Sequence, residues 1–343
     1  HSGSCFRKRT KIIQMYRKSV IHIKSTLKVM ALFAFTLLVF SCKKDSNLTT
    51  PKDKEVTAKD ILGNPNYLAI CYGGYRQNSR EVQPTIAELK EDLKILAALN
   101  IKVVRTYNVH LAHASNVLKA ISELKKEHPK FEMYVMLGAW IDCKNAWTDL
   151  EPNHFEESER NEVEINEAVR LASNYSDIVK IIAVGNEAMV KWATSYYVQP
   201  SVILKWVNHL QQLKKENKLA NDLWITCSDD FASWGGADAS YKTQDLEELI
   251  NAVDYVSMHT YPYHNSHYNP NFWNTPVEEQ ILSDTEKIDK AMHRSFEFAK
   301  MQYHTVKNYV RSINPSKPIH IGETGWSSSS DGFYGSEGSK ASD

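Results

Sequence analysis

Short apolar runs alternate with amphipathic stretches from Tyr67 onward. Several of these runs are almost continuously apolar, as in Ile178–Val184, which is typical of strands buried on both faces of a parallel sheet. The pattern therefore predicts an α/β fold with seven strands. They are predicted at Tyr67–Tyr75, Ile101–Val109, Phe131–Trp140, Ile178–Gly185, Leu223–Ser228, Val253–His259 and Pro318–Gly322.

The stretches between the strands carry apolar residues at helical spacing, so each stripe is expected to pack on the sheet. Thr85 and Glu88 have the spacing of a capping box that opens the first of these helices. The stripes are Ile86, Leu89, Leu93 and Leu96; Ile203, Trp206, Leu210 and Leu213; and the longer set Ile288, Met292, Phe296, Ala299, Tyr303, Val306, Val310 and Ile313.

Two layouts fit this alternation, a (β/α)8 barrel and a doubly wound open sheet. The sequence has neither a GxGxxG nor a GxxxxGK[ST] motif, so the nucleotide-binding forms of the open sheet lose support and the TIM barrel is favoured. Only 21 residues follow Gly322, and they are rich in Ser and Gly. We therefore expect the eighth strand and helix to be missing from this chain, and a version completed at its C-terminus to be more stable and more active.

Charge is balanced overall, with 41 Lys and Arg against 41 Asp and Glu. This balance gives no electrostatic support for nucleic-acid binding. The first 41 residues hold eight basic and no acidic residues, which leaves a net charge of −8 for residues 42–343. The strongly basic first 41 residues are therefore expected to be a segment separate from the mildly acidic remainder of the chain.

That basic end predicts export. An uncharged apolar run, Val29–Phe40, follows the basic stretch and is shorter than the roughly 18 residues of a membrane-spanning helix. Ser41 and Cys42 follow, in an arrangement that resembles the lipobox of bacterial lipoproteins. We expect residues 1–41 to be a leader and signal peptide, with Met15 as its start. Cys42 would carry the lipid anchor on the membrane, 42–58 would be a polar tether, and 59–343 the catalytic domain; an ordinary signal peptide is the alternative.

Two further patterns argue against metals and disulfides. The five cysteines form no CxxC motif, so buried thiols are expected rather than a zinc site or a disulfide framework, with one disulfide among Cys71, Cys143 and Cys227 as the alternative. The HxxH spacings of His110 with His113 and of His264 with His267 lack further converging ligands. No metal and no cofactor are expected.

The predicted chemistry lies where strands end, because a (β/α)8 barrel carries its active site at the C-terminal ends of its strands. The fourth strand leads into Asn186 and Glu187, and the seventh into Glu323. Two carboxylates on either side of an acetal carbon are what glycoside hydrolysis requires. Weaker candidates for contacting sugar follow other strands: Trp140, Trp147, Phe155, Tyr268, Phe272, Trp273, Asp142, Asp229 and Asp230.

The stretches Gly185–Glu187 and Gly322–Trp326 resemble the acid/base and nucleophile motifs of glycoside hydrolase family 17, which contains β-1,3-glucanases and glucanosyl-transferring enzymes. Cys71–Gly73 and Tyr261–Tyr263 also fit that family's pattern, and the resemblance spans about Tyr67 to Ser330. It implies a (β/α)8 barrel with a retaining mechanism.

The resemblance also implies roles for individual residues. Glu187 would be the general acid/base, with a raised pKa caused partly by the nearby charge of Glu323, and Glu323 would be the ionised nucleophile. Asn186 would bond the sugar 2-hydroxyl, Tyr261 would orient the nucleophile and Trp326 would line the sugar floor. Further contacts to sugar are expected from Tyr72, Arg105 and Tyr107.

Three functions remain open from the sequence. The leading one is hydrolysis of β-1,3-glucan with retention by a monomeric enzyme. Transfer of the glucanosyl unit to another sugar would use the same residues. A glycan-binding lipoprotein without turnover is the alternative of a different class, although the presence of both glutamates argues against it.

Overall fold

The computed structural model describes residues 55–77, 79–266 and 269–326. The expected signal peptide, the lipidated Cys42 and most of the tether lie outside these residues, as do His267, Tyr268 and everything after Trp326. Within the described ranges, none of the helices combines the length and apolar character needed to cross a membrane.

Seven parallel strands form a nearly closed barrel with alternating helices, the TIM-like architecture that the sequence predicts. Neighbours in the sheet follow chain order from β1 to β7. The strands are β1 (Leu68–Cys71), β2 (Ile101–Arg105), β3 (Tyr134–Ala139), β4 (Val179–Asn186), β5 (Trp224–Asp230), β6 (Val256–His259) and β7 (Ile319–Glu323).

Six longer helices follow β1 to β6 in turn. The predicted capping box is present, since the Thr85 hydroxyl and the Glu88 carboxylate each bond the other residue's backbone N–H. The helices are α1 (Ile86–Ala98), α2 (Ala112–Glu127), α3 (Arg160–Asn174), α4 (Pro200–Lys215), α5 (Gln244–Ala252) and α6 (Asp284–Ile313).

The loops contain several shorter elements of secondary structure. Short helices occur at Ala58–Ile61, Pro262–Ser266 and Pro270–Trp273, 3-10 turns at Ala239–Tyr241 and Val277–Glu279, and a π-helical turn at Ala232–Gly236. An antiparallel hairpin pairs Cys143–Lys144 with Asn153–Glu157. The sequence pattern did not predict this hairpin, because its paired strands are short and largely polar.

The strand nearest the middle of the sheet shows why its sequence is so apolar. Seven of the eight residues of β4 are buried, because one face meets the helices and the other the barrel interior. Inside the barrel, Met136, Ile181 and Tyr255 pack with Ala58 of the first short helix. That helix therefore closes the N-terminal end of the barrel, opposite the ends of the strands that carry the predicted chemistry.

The expectation that the whole stripe of α6 packs on the sheet was wrong. Val306 and Val310 are fully buried, but Ile288 and Phe296 are 59% and 60% exposed. The reason is length: a helix of 30 residues spans about 45 Å, far more than strands of 4 to 8 residues can cover. The first half of α6 therefore extends beyond the strands.

Candidate active site

The two predicted carboxylates meet at the C-terminal end of the barrel. β4 ends at Asn186 and β7 at Glu323, while Glu187 follows directly in the turn after β4. One oxygen of each carboxylate and one ring nitrogen of His259 all lie within 4.8 Å of one another. The separation is close to the roughly 5–5.5 Å between carboxyl groups in retaining glycosidases.

The turn after β4 has an uncommon backbone. Glu187 adopts a positive φ of 46°, which non-glycine residues rarely do, and Gly185 has a φ of 83°. The Glu187 N–H donates to the Ser228 carbonyl of β5 at 3.0 Å, and the Met189 N–H donates to the Asp229 carboxylate at 2.9 Å. Two neighbouring residues of β5 thus hold the turn in this conformation and with it the Glu187 side chain.

Glu323 is buried, and both of its carboxylate oxygens accept hydrogen bonds. Arg105 donates to Oε1, and the Tyr261 hydroxyl donates to Oε2 at 2.7 Å. The donors that a carboxylate nucleophile needs are therefore present, and they come from β2 and from the segment after β6. Burial raises the pKa of the Tyr261 hydroxyl, so this group stays a donor at neutral pH.

Arg105 connects three of the predicted residues. Its guanidinium donates to Glu323 and, through Nη2, to Asn186 Oδ1 at 2.7 Å. It also lies 4.9 Å from the centre of the Tyr107 ring. Because Arg105 is only 3% exposed, it acts as a buried positioning group under Asn186 and Glu323 rather than as a surface contact.

His259, the last residue of β6, lies between the carboxylates. Its Nδ1 is 3.0 Å from Glu187 Oε1 and 3.7 Å from Glu323 Oε2. Its Nε2 faces the Ser228 hydroxyl at 2.8 Å and Arg105 Nη1 at 3.3 Å. Since Arg105 can only donate, Nε2 is the acceptor and the ring proton is on Nδ1, directed at Glu187. Burial lowers the pKa of His259 to about 3, so the imidazole is neutral.

The Glu187 carboxyl has a raised pKa, as expected for a general acid, but the cause differs from the expected one. Burial of the group is the main reason, and the positive charges of Arg105 and His264 act against it. The charge of Glu323, which the sequence analysis invoked, is not among the causes. Desolvation by the pocket thus favours the protonated form.

Glu187, His259 and Glu323 form the set of convergent metal-type ligands found among the described residues. The Arg105 guanidinium donates to Glu323 and faces the His259 ring from the other side. A buried permanent cation already neutralises negative charge where a metal ion would sit, so the donor set fits a metal poorly.

Close packing inside the barrel explains the glycine before Glu323. A side chain at Gly322 would overlap the Ser257 hydroxyl and lie 2.7 Å from the Ser228 hydroxyl. These two hydroxyls bond each other at 2.9 Å, and Ser228 also bonds His259. Gly322 thus leaves room for the hydroxyl pair that supports His259.

Trp326 lies in an aromatic group on the Glu323 side of the site. Its ring is 4.7 Å from that of Tyr263 and 5.5 Å from that of Trp273, and its side chain is 38% exposed. Phe272 packs edge-on against Trp273 at 4.9 Å. Of the aromatic candidates after the sixth strand, these two therefore pack in one cluster with Trp326.

Tyr72 is placed differently from the expectation that it binds sugar. It is 8% exposed, and its hydroxyl donates to Asp92 of α1 at 2.7 Å. Arg76 pairs with the same carboxylate at 2.7 Å. This arrangement ties the segment after β1 to α1, and it argues against direct contact between Tyr72 and substrate.

The three aspartate candidates differ in position from the prediction, because Asp229 and Asp230 are the last two residues of β5 and Asp142 alone follows a strand, β3. Asp229 is fully buried, and burial raises its pKa to about 8, while that of Asp230 rises to about 6. Asp142 is 3% exposed and accepts a hydrogen bond from Trp147 Nε1 at 3.1 Å. Each thus holds a loop at the C-terminal end of the barrel.

The cysteines and histidines agree in part with the sequence analysis. Cys71, Cys143 and Cys227 are free thiols, and only Cys71 is exposed, contrary to the expectation of burial. His110 bonds Glu164 at 3.0 Å, whereas His113 is buried with a pKa lowered to about 4 by desolvation. Neither histidine is part of the metal-type ligand set in the described residues.

Sequence reasoning missed His259 and Ser228 as functional residues, and it considered Asp229 only as a candidate for contacting sugar. The available signal was position: His259 ends β6, as Arg105 ends β2. In the sequence analysis, His259 was named only as the end of the sixth predicted strand and was assigned no role.

The chain was compared with solved structures and with curated proteins. A crystal structure of an endo-laminarinase from Formosa Hel1_33_131 is 64% identical, with a TM-score of 0.80 over 82% of this chain and 72% of that chain. A Bacteroides uniformis β-glucuronidase is 13% identical over 76% of this chain and 30% of that one, with a TM-score of 0.39. The family 51 α-L-arabinofuranosidase AbfB from Bifidobacterium longum is 12% identical over 77% and 56%, also at 0.39. No curated protein matches the chain.

The barrel, the endo-laminarinase match and a match to a glycoside hydrolase family model define the class: the protein is a glycosidase built on a TIM-like barrel. More particularly, the chain belongs to the family of the BtgE/BtgC glycoside hydrolase domain, whose model matches residues 69–342.

Proposed function

We propose that the protein hydrolyses β-1,3-glucan at internal bonds with retention of anomeric configuration. The carrying observation is the pair formed by Glu187 and Glu323, which have one oxygen each within 4.8 Å of the other at the C-terminal ends of β4 and β7. At this separation one carboxylate can attack the anomeric carbon while the other protonates the leaving oxygen. The endo-laminarinase relative favours a β-1,3-glucan as the substrate.

In the proposed reaction, Glu323 attacks the anomeric carbon and forms a glycosyl-enzyme. Arg105 and Tyr261 hold its two oxygens, which fixes the angle of attack. Glu187, whose pKa is raised by burial, gives its proton to the departing sugar oxygen. It then removes a proton from the water that releases the product.

Rescue with azide distinguishes the two roles. The substrate would be β-laminaribiosyl fluoride, whose fluoride leaves without help from an acid. With Glu187→Ala, azide intercepts the glycosyl-enzyme and gives the β-azide; with Glu323→Ala, azide attacks directly and gives the α-azide. NMR of the products reads the configuration, and the same azide from both variants would contradict the assignment.

Glucanosyl transfer is the second candidate function, because a sugar acceptor competes with water for the same glycosyl-enzyme. Wild-type protein would be incubated with laminarihexaose at low and high concentration, and the products separated by length. Products longer than the hexaose at high concentration indicate transfer, whereas hydrolysis gives shorter ones only.

We also propose that the resemblance to glycoside hydrolase family 17 reflects membership, with Asn186 bonding the sugar 2-hydroxyl and Trp326 lining the floor beneath it. The contact of Arg105 with Asn186 Oδ1 supports the first role, because it turns the amide NH2 outward as a donor. Loss of discrimination between 2-hydroxyl and 2-deoxy substrates in Asn186→Ala would test it.

Export and lipid anchoring through Cys42 form a separate proposal, supported by the apolar run before it in the sequence. Metabolic labelling with a palmitate analogue in a bacterial host tests it. Label in the wild-type protein and none in Cys42→Ala is expected, and equal label in both would contradict it.

A further inference from the structure

Three aromatic side chains form a continuous surface on the loops after β3 and β4. The rings of Trp147 and Tyr196 stack at 5.0 Å with an angle of 21°, and the Trp140 ring lies 5.7 Å from that of Tyr196 at an angle of 47°. The Cys143 N–H donates to the Tyr196 carbonyl at 3.0 Å, which ties the two loops together. We call Trp140, Trp147 and Tyr196 the aromatic ledge.

The fold holds Trp147 in water at a cost. Its side chain is 57% exposed, and its backbone has a φ of 63°, a conformation that bulky residues rarely adopt. Its indole N–H donates to the buried Asp142 carboxylate at 3.1 Å. Together with the rings of Tyr196 and Trp140, the exposed indole gives a contiguous apolar patch of fixed orientation, and such patches mark ligand-binding surfaces.

The ledge lies on the acid/base side of the site. Tyr196 follows Glu187 in the same loop, and the Val198 N–H donates to the carbonyl of Ala188, the residue after Glu187, at 2.7 Å. The charge of Glu187 also adds to burial in raising the pKa of the Tyr196 hydroxyl. The aromatic group around Trp326 lies instead on the side of Glu323, because Trp326 follows Glu323 closely in the chain and its ring contacts that of Tyr263, next but one after the Tyr261 that bonds Glu323. Each carboxylate thus has its own aromatic surface.

We propose that the aromatic ledge binds the glucosyl units on the leaving-group side of the cleaved bond. This inference rests on the proposed function, because the acid protonates the leaving oxygen and the departing sugar must therefore lie beside Glu187. The C–H faces of a pyranose ring pack well on aromatic faces. The Trp147 N–H is already bonded to Asp142, so the ring offers apolar area rather than a donor.

The same units would enter as the acceptor in a transfer reaction. By microscopic reversibility, a sugar that attacks the glycosyl-enzyme occupies the place that the leaving sugar vacated. The ledge would therefore govern both cleavage of long chains and their elongation.

Two substrates separate this role from the rest of the site. Laminarihexaose places sugar on both sides of the cleaved bond, whereas β-laminaribiosyl fluoride leaves the ledge empty because its leaving group is a fluoride ion. For Trp147→Ala we expect a fall in the ratio of kcat/KM for laminarihexaose to kcat/KM for β-laminaribiosyl fluoride. The fall should be about tenfold, which corresponds to the binding free energy lost with one stacked aromatic ring. Trp147→Phe should recover much of that loss.

Phe296→Ala is the matched control, since Phe296 is a 60% exposed aromatic residue on α6, and its ratio should equal that of the wild type. Adding laminaribiose to the fluoride reaction should give elongated product with the wild type and much less with Trp147→Ala. An active wild type with an unchanged ratio in Trp147→Ala overturns the ledge alone. A wild type inactive on both substrates overturns the proposed function and the ledge together.

Discussion

His259 donates its Nδ1 proton to Glu187 Oε1 across 3.0 Å, from a ring that is completely buried. The opposite nitrogen accepts from Ser228 and Arg105, so the ring cannot reverse its tautomer without losing both contacts. Glu187 Oε1 is therefore occupied as an acceptor, and Oε2 is left to carry the catalytic proton. The acid is thus oriented by a neutral donor.

Removing that donor should change the pH dependence of the reaction. In His259→Ala the ionised form of Glu187 loses a hydrogen bond, so its pKa rises further and the alkaline limb of kcat/KM moves to higher pH. We expect kcat to fall about tenfold through lost orientation. His259→Asn, which returns an amide N–H near the same place, should move the limb back. A lower rate with an unshifted limb in both variants would mean that His259 only fills space.

Tyr261→Phe removes the hydroxyl that bonds Glu323 Oε2 at 2.7 Å. A hydrogen bond to a charged group contributes about 1.5–3 kcal/mol, so kcat/KM on laminarihexaose should fall about 10- to 100-fold. Tyr134→Phe is a suitable control, because Tyr134 begins β3 at the far end of the barrel and bonds Glu132 at 3.2 Å. Equal rates for Tyr261→Phe and wild type would exclude a positioning role.

Arg105→Lys tests whether a single guanidinium must donate hydrogen bonds to both Glu323 and Asn186. A lysine ammonium cannot reproduce the planar fork that reaches both residues, so kcat should fall about 100-fold. Arg76→Lys breaks a comparable two-point contact, with Asp92, outside the site. Steady-state kinetics and melting temperatures of both variants are needed, and similar losses of activity in the two would attribute the effect to stability.

Asp229 predicts a pH dependence of stability. Its pKa is about 8 in the folded chain because of burial, against about 3.9 when unfolded. Between these values the folded state holds a proton that the unfolded state has released, so stability falls as pH rises, by up to about 1.4 kcal/mol per pH unit. The stabilisation is complete below about pH 4 and lost above about pH 8.

Asp229→Asn carries no such proton. The melting temperature of the wild type should therefore decline more steeply between pH 5 and pH 8 than that of the variant. Asp289→Asn, an exposed position on α6, serves as the control and should follow the wild type. Parallel curves for wild type and Asp229→Asn would show that Asp229 is ionised in the folded protein throughout.

The strand pattern predicted the barrel well because buried parallel strands are apolar over their whole length, as β4 is. It also placed Glu187 and Glu323 at one end of the barrel, since a parallel sheet brings all carboxyl ends to the same side. Strand ends were less well predicted: the first was expected to reach Tyr75 but stops at Cys71, because Tyr72 turns toward Asp92.

What the pattern could not show were contacts between residues far apart in the chain. Arg105 and Glu323 are separated by 218 positions, and His259 and Glu187 by 72. Nor could it distinguish Asp229, fully buried, from an exposed aspartate after a strand, because burial there depends on the turn that Met189 makes. Periodicity reports the face of an element, whereas these contacts depend on how elements meet.

The short helix Ala58–Ile61 closes the end of the barrel opposite the carboxylates. The chain therefore enters the fold at the N-terminal end of the barrel, whereas a polysaccharide would bind at the C-terminal end. Coupling the protein to a resin through residues before Val56 should leave the end of the barrel that carries the carboxylates accessible to long polymers. For the same reason, an affinity tag at that position is compatible with assays on insoluble glucan.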